Sequence, residues 1–188
     1  MAPSGKRQDR PADALALLRH EHDRIRQLFA QFAGLRGIED EDERKAALVD
    51  EICYELALHA IVEEELFYPL LRAAAEDDEM MDEAEVEHAG VRELISQLEV
   101  MYPGDDHFEA TVAVLAEEVE HHVAIEESDM FDTARSSGID LAALGRRTSS
   151  TRWNRTPACA CRRARRTEGT NGTVVSLTAR ARQCGACD

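Results

Sequence analysis

Apolar residues recur along the first 140 positions at steps of three and four, with polar residues between them. That spacing is one face of an α-helix at 3.6 residues per turn. A first helix is predicted over residues 12–35, with Leu15, Leu18, Ile25, Phe29 and Phe32 on its apolar face and Gly34 and Gly37 ending it. A second follows the acidic residues 39–43, which suit the positive end of a helix dipole. It carries Leu48, Ile52, Leu56, Leu66 and Leu70, and Pro69 is expected to kink its last turns. A third helix is predicted over residues 80–101, with Val91, Ile95 and Leu98 inward, and the run YPGDD at 102–106 breaks it. A fourth spans residues 107–135, with Phe108, Val112, Leu115 and Val119 inward, up to the run SSG at 136–138. No segment of this region alternates with the period of a strand. Four long amphipathic helices with short connections predict an all-α fold, an up-down-up-down four-helix bundle.

The apolar faces are interrupted at fixed places. The first helix reads Leu15, Leu18, His22, Ile25, Phe29, and the second reads Ile52, Leu56, His59, Glu63, Leu66. The third gives Ala84, His88, Val91, Ile95, and the fourth gives Leu115, Val119, His122, Glu126, Met130. Each helix thus turns a histidine inward, and two of them add a glutamate four residues later, on the same side. These interruptions also repeat. EHDRIRQL at 21–28 matches EHAGVREL at 87–94, and HAIVEE at 59–64 matches HVAIEE at 122–127. A bundle of two such halves has an approximate two-fold axis on which matching residues converge.

Burying one polar group without a partner costs about 1–3 kcal/mol, and a bare carboxylate costs more. Six such groups would offset much of a domain's typical net stability of about 5–15 kcal/mol. Two multivalent cations would remove that cost, because neutral imidazoles and carboxylates are ligands of first-row transition metals.

Charge divides the chain in two. The net charge is −16, from 38 acidic and 22 basic residues. Residues 146–188 nevertheless hold ten arginines against only Glu168 and Asp188. The reading is a polar, disordered N-terminus over 1–11, a helical domain over 12–145 and a basic, disordered tail over 146–188. The acidic domain argues against nucleic-acid binding and against docking on an anionic membrane. No apolar run is long enough for a membrane span, and the N-terminus lacks the apolar core of a secretory signal. The expected location is the cytoplasm.

The segments LLRHEHDRIRQLF, LALHAIVEEELFYPLL, EVEHAGVRELI and HHVAIEESDMF resemble, in order, those of the hemerythrin-like, or HHE cation-binding, domains. The resemblance covers about residues 12–140. It implies a four-helix bundle holding two non-haem iron ions, oxo- or hydroxo-bridged. His22, His59, His88 and His122 would ligate iron, His22 with His59 on one metal and His88 with His122 on the other. Glu63 and Glu126 would bridge. The implied function is binding or sensing of dioxygen, nitric oxide, peroxide or iron redox state. A redox enzyme consuming peroxide or nitric oxide, or an iron store, is the alternative. The small-molecule ligand is the implied partner; no protein partner is implied.

Two departures from the family are visible. Oxygen-carrying hemerythrins have a second histidine four residues before the one matching His88, and here that position is Ala84. The missing ligand leaves an open site or one borrowed from Glu87 or His121. The run HHVAIEE also leaves open whether Glu126 or Glu127 bridges. Ferritin-like di-iron proteins reverse the order, with a carboxylate three residues before the histidine.

The remaining candidates carry less. His20, His107 and His121 are expected at the surface or behind the ligands. Glu21 and Glu87 are read as solvated in preference to orienting a neighbour, and Glu64 and Glu65 as facing solvent. Tyr54 and Tyr68 are read as packing in preference to a place near the centre, and Cys53 as a small core residue. In the tail, Cys159, Cys161, Cys184 and Cys187 have the spacing of a zinc site. The abrupt change of composition after residue 145 equally fits a shifted reading frame or a basic interaction tail.

Overall fold

In the computed structural model, residues 13–74 and 79–154 are described. All regular structure among them is helical. Helix α1 is Ala14–Ala33, capped by Asp13, whose Oδ1 accepts a 2.9 Å hydrogen bond from the Ala16 amide. Helix α2, Asp42–Val62, passes into a π-helical turn, Glu63–Phe67, and then into α3, Tyr68–Ala74. Helix α4 is Glu79–Leu98. Helix α5, Phe108–Ile125, passes into a second π-turn, Glu126–Met130, and then into α6, Phe131–Ser136. Helix α7 is Leu141–Asn154.

The helices pair as the connection lengths require. Helix α1 lies on α2 and α4 on α5, with further contacts of α2 to α4 and of α1 to α5. Helix α7 packs on α1 and α2. It runs through residue 145, where the change of composition placed the domain boundary, and Leu144 and Thr148 are buried in it. The sequence reading missed this helix because residues 146–154 have almost no apolar face of their own. The N-terminal stretch, the cysteine motif and the rest of the basic tail lie outside the described residues.

The core falls into two apolar clusters. One contains Leu15, Leu18, Val62, Phe67, Leu71, Met81, Met130, Phe131 and Leu144. The other contains Ile25, Leu28, Phe32, Ile52, Leu56, Leu98, Val112 and Leu115. His22 lies between Leu18 of the first and Ile25 of the second. His59 likewise lies between Val62 and Leu56. A polar layer therefore separates two dry layers.

The π-turns set the phase of α3 and α6. Each adds one residue to a turn, and each begins at a glutamate of the polar layer. The amide of Tyr68 donates to the Glu63 carbonyl, and that of Phe131 to the Glu126 carbonyl, five residues back. The predicted kink at Pro69 is thus a π-turn that precedes the proline. The second π-turn has Asp132 at the matching position, so proline is not its cause. One consequence is that Leu71 is fully buried while Leu70, expected inward, is only half-buried.

Candidate metal centre

His22, His59, Glu63, His88, His122 and Glu126 are all buried and converge in the polar layer. His22, His59, Glu63 and Glu126 form one group whose candidate ligand atoms lie within 4.8 Å of one another. Glu63, His88 and His122 form a second. Glu63 belongs to both: its Oε1 is 2.8 Å from His59 Nε2 and its Oε2 is 3.2 Å from His88 Nε2. Glu126 Oε2 is 3.0 Å from His22 Nε2.

The outer nitrogen of each imidazole meets a carboxylate. His22 Nδ1 is 2.8 Å from Glu127, His59 Nδ1 3.0 Å from Glu21, His88 Nδ1 2.9 Å from Glu64 and His122 Nδ1 2.8 Å from Glu87. An ionised carboxylate only accepts, so each Nδ1 carries the donated proton. That leaves Nε2 as a lone pair aimed inward, the tautomer of a metal-ligating histidine. The arrangement follows the internal repeat. Glu21 and Glu87 each bond the histidine of the next helix in their own half, and Glu64 and Glu127 each bond the first histidine of the other half.

Three of these glutamates correct the sequence reading, and the fourth, Glu127, left open there as a bridge, instead bonds the outer nitrogen of His22. Glu21, expected in solvent, is 4% exposed. Glu64 and Glu87, also expected there, are part-exposed and bound to imidazoles. Each lies next in sequence to an inward residue. A neighbour in a helix is turned by about 100°, far enough to leave the core face yet close enough to reach around a ring. The doublets Glu-His and Glu-Glu, each present in both halves, were the available signal. His121 is exposed, 3.7 Å from Glu87, and lies outside both groups. His20 is exposed, and Cys53 is half-buried at the edge of the core.

Tyr68 is a further correction. It is 3% exposed, and its hydroxyl lies 3.3 Å from Glu63 Oε2, 3.4 Å from His88 Nε2 and 3.3 Å from His122 Nε2. It thus reaches the group of His88, on whose helix Ala84 stands where the resemblance would place a further histidine. The equivalent residue in the other half is Phe131, whose ring is stacked on His22 at 6.1 Å. The two halves match in histidines and glutamates and differ here by one hydroxyl.

Without a cation the layer is electrostatically awkward. His22 Nε2 lies 3.1 Å from His59 Nε2, and His88 Nε2 lies 3.3 Å from His122 Nε2. Two lone pairs at that distance repel unless a proton or a cation lies between them. In each pair one imidazole is pushed up and the other down. Burial opposes the charge on His59 and His88, but carboxylates, Glu63 foremost, outweigh it and raise both. Burial dominates at His22, which also faces His59 and is lowered to about 4, and at His122, which is lowered too. Burial and the neighbouring Glu63 push Glu126 well up, whereas the histidines hold Glu63 well down despite burial. Glu63 Oε1 and both Glu126 oxygens make no aligned hydrogen bond, although His59 Nε2 lies 2.8 Å from the first and His22 Nε2 3.0 Å from Glu126 Oε2. Buried carboxylate oxygens among inward lone pairs fit a pair of cations.

The family model described as the hemerythrin HHE cation binding domain matches residues 13–134. A hemerythrin HHE cation binding domain-containing protein from Mycobacterium kansasii has a similar solved structure, with a TM-score of 0.64 and 26% sequence identity. The alignment covers 76% of this chain and 86% of that one. Comparison with curated protein sequences gave no significant match.

Proposed function

Because this chain belongs to the hemerythrin HHE cation-binding domain family, we propose that its polar layer holds two iron ions inside an up-down-up-down four-helix bundle and that the pair binds or senses a small oxidant or diatomic ligand. His22, His59 and Glu126 would hold the first ion, and His88 and His122 the second, with Glu63 in reach of both; Glu126, implied by the resemblance as a second bridge, lies in the first group alone. The observation that carries the reading is the convergence of four buried, inward-facing Nε2 atoms on the buried carboxylates of Glu63 and Glu126. When bound, an iron pair supplies reversible exchange of electrons with dioxygen, nitric oxide or peroxide.

The chain's own residues do the rest. Glu21, Glu64, Glu87 and Glu127 fix the tautomers. The two apolar clusters exclude water and bulky reductants from the layer. Tyr68 offers its oxygen to the second position, in place of the histidine missing at Ala84. Burial and the carboxylates of Glu63 and Glu126 raise its phenol well above the usual range in the metal-free chain. A nearby cation acts in the opposite direction.

One experiment separates a binder from an enzyme. The iron-loaded chain is exposed in turn to dioxygen, nitric oxide and peroxide, with absorption and reactant consumption followed together. A persistent spectral change with no more than stoichiometric consumption supports binding or sensing. Continued consumption of peroxide or nitric oxide, lost in His22→Ala, supports the redox enzyme instead. Tyr68→Phe is expected to remove any visible phenolate-to-iron band while leaving the ultraviolet bands in place.

A further inference from the structure

The repeat makes the two halves alike around the histidines, but α7 has no counterpart, and its most extensive contacts are with α1, α2 and the π-turn that follows α2. Arg152 on α7 reaches between α1 and α2. Its Nη1 forms an ion pair with Glu21 Oε1 at 3.0 Å, without hydrogen-bond alignment, and its Nη2 donates a 2.5 Å hydrogen bond to Glu55 Oε2. The other oxygen of Glu21 accepts from His59 Nδ1 at 3.0 Å. Guanidinium, carboxylate and imidazole therefore form one line that ends at His59 Nε2, 2.8 Å from Glu63.

The equivalent line in the other half stops short. Glu87 accepts from His122 Nδ1, but beyond it, among the described residues, lies only His121, 3.7 Å away and two-thirds exposed. The difference matters because Glu21 has a side chain only 3% exposed, against 25% for Glu87. Water can solvate Glu87. Glu21 is cut off from water, and a buried carboxylate without an opposing charge is costly. Arg152 supplies that charge and holds the carboxylate against the ring. Its planar fork reaches Glu21 and Glu55 at once, as a single ammonium on a flexible stem does less well.

A second observation shows that α7 is seated for this. A Cβ on Gly145 would lie 2.9 Å from both the Ala14 amide nitrogen and the Asp13 carbonyl carbon. Helix α7 thus meets the start of α1 backbone to backbone, and that approach, two turns earlier on the same helix, sets how far in Arg152 reaches. Leu144 and Thr148, 2% and 1% exposed, fill the contact between.

We propose that Arg152 is a positioning residue for the His22–His59 metal position, so that α7 makes the two metal positions unequal: the first depends on α7 and the second does not. The inference rests on the metal pair proposed above. Loss of an outer partner of a metal-ligating histidine typically lowers metal affinity by about 10–100-fold. That loss is expected at one position of two.

The test is a cobalt(II) titration of the metal-free full-length chain, read by the visible bands of bound cobalt and by metal analysis after gel filtration. The wild-type chain is expected to retain two equivalents. Arg152→Met is expected to keep one at wild-type affinity and to weaken the other at least about tenfold, with unchanged helical circular dichroism. Arg152→Lys restores part of the loss, because the charge remains. Gly145→Val, which touches no candidate ligand, reproduces the Arg152→Met pattern by displacing α7. Glu87→Gln weakens the other position, so that its remaining cobalt spectrum differs from that of Arg152→Met. Two equivalents at wild-type affinity in Arg152→Met would overturn the inference, as would equal weakening of both. A wild-type chain that binds no cobalt contradicts the underlying metal-pair reading instead.

Discussion

Glu126 shows most clearly what a single residue contributes to this protein. Both its carboxylate oxygens are buried without an aligned hydrogen bond, and burial with Glu63 alongside pushes its acid well up. In the metal-free chain such a group destabilises, by about 1–3 kcal/mol for a buried unsatisfied polar group. Replacing it with leucine removes that cost and the candidate ligand together. Glu126→Leu is therefore expected to melt higher than the wild type in the presence of chelator. The gain is a few degrees, since about 1 kcal/mol corresponds to about 2–4 °C in a chain of this size. With metal supplied, the order should reverse. Thermal melts with and without chelator check both halves of the statement, and a variant less stable in chelator would contradict it. At this scale the sequence was informative about inward residues and poor about their neighbours. His22, His59, Glu63, His88, His122 and Glu126 stood out because each breaks an apolar face. Glu21, Glu64 and Glu87 did not, because a glutamate beside the face looks the same whether it reaches a ring or water, and Glu127 stood out only as a rival to Glu126. Tyr68 was hidden for another reason: aromatic residues at helical spacing usually pack, and only the broken phase of the helix aims this one into the layer.

At the scale of elements, the two π-turns carry the main lesson. The buried positions His59, Glu63, Phe67 and Leu71 succeed one another at intervals of four, as do His122, Glu126, Met130 and Ala134. A regular helix at 3.6 residues per turn cannot hold such a series on one face without an interval of three. Over three turns the series runs about one residue ahead, which is the residue a π-turn absorbs. The sequence therefore did hold the signal, in both halves, but Leu66 and Leu70 offered a competing reading of a continuous helix kinked by Pro69. Since the second π-turn forms with Asp132 where the first has Pro69, Pro69→Ala is expected to leave metal stoichiometry unchanged. Its effect on stability should stay within about 1 kcal/mol. Loss of a metal equivalent in this variant would show that the proline sets the turn. Helix α7 was illegible for a different reason: it is held by Leu144, Thr148, Gly145 and Arg152, single contacts without an amphipathic period.

On the scale of the whole molecule, protons and metal ions compete for one charged layer between two apolar ones. No helix among the described residues is long and apolar enough to cross a membrane, and the acidic composition surrounds the layer with carboxylates. In the metal-free chain His59 and His88 are raised above their ordinary 6.5. Their contribution to stability is thus complete below that value and fades as pH rises through their folded values. Bound metal must displace those protons and the one on Glu126, so metal affinity should rise with pH over the same window. The most direct test of the account is the iron content of the purified chain after anaerobic loading with iron(II), air exposure and desalting, measured across that window. The account predicts two iron ions per chain above the window, falling as pH drops, with charge-transfer bands in the near ultraviolet. One iron or none at every pH, or a colourless chain that takes up only zinc, would contradict it.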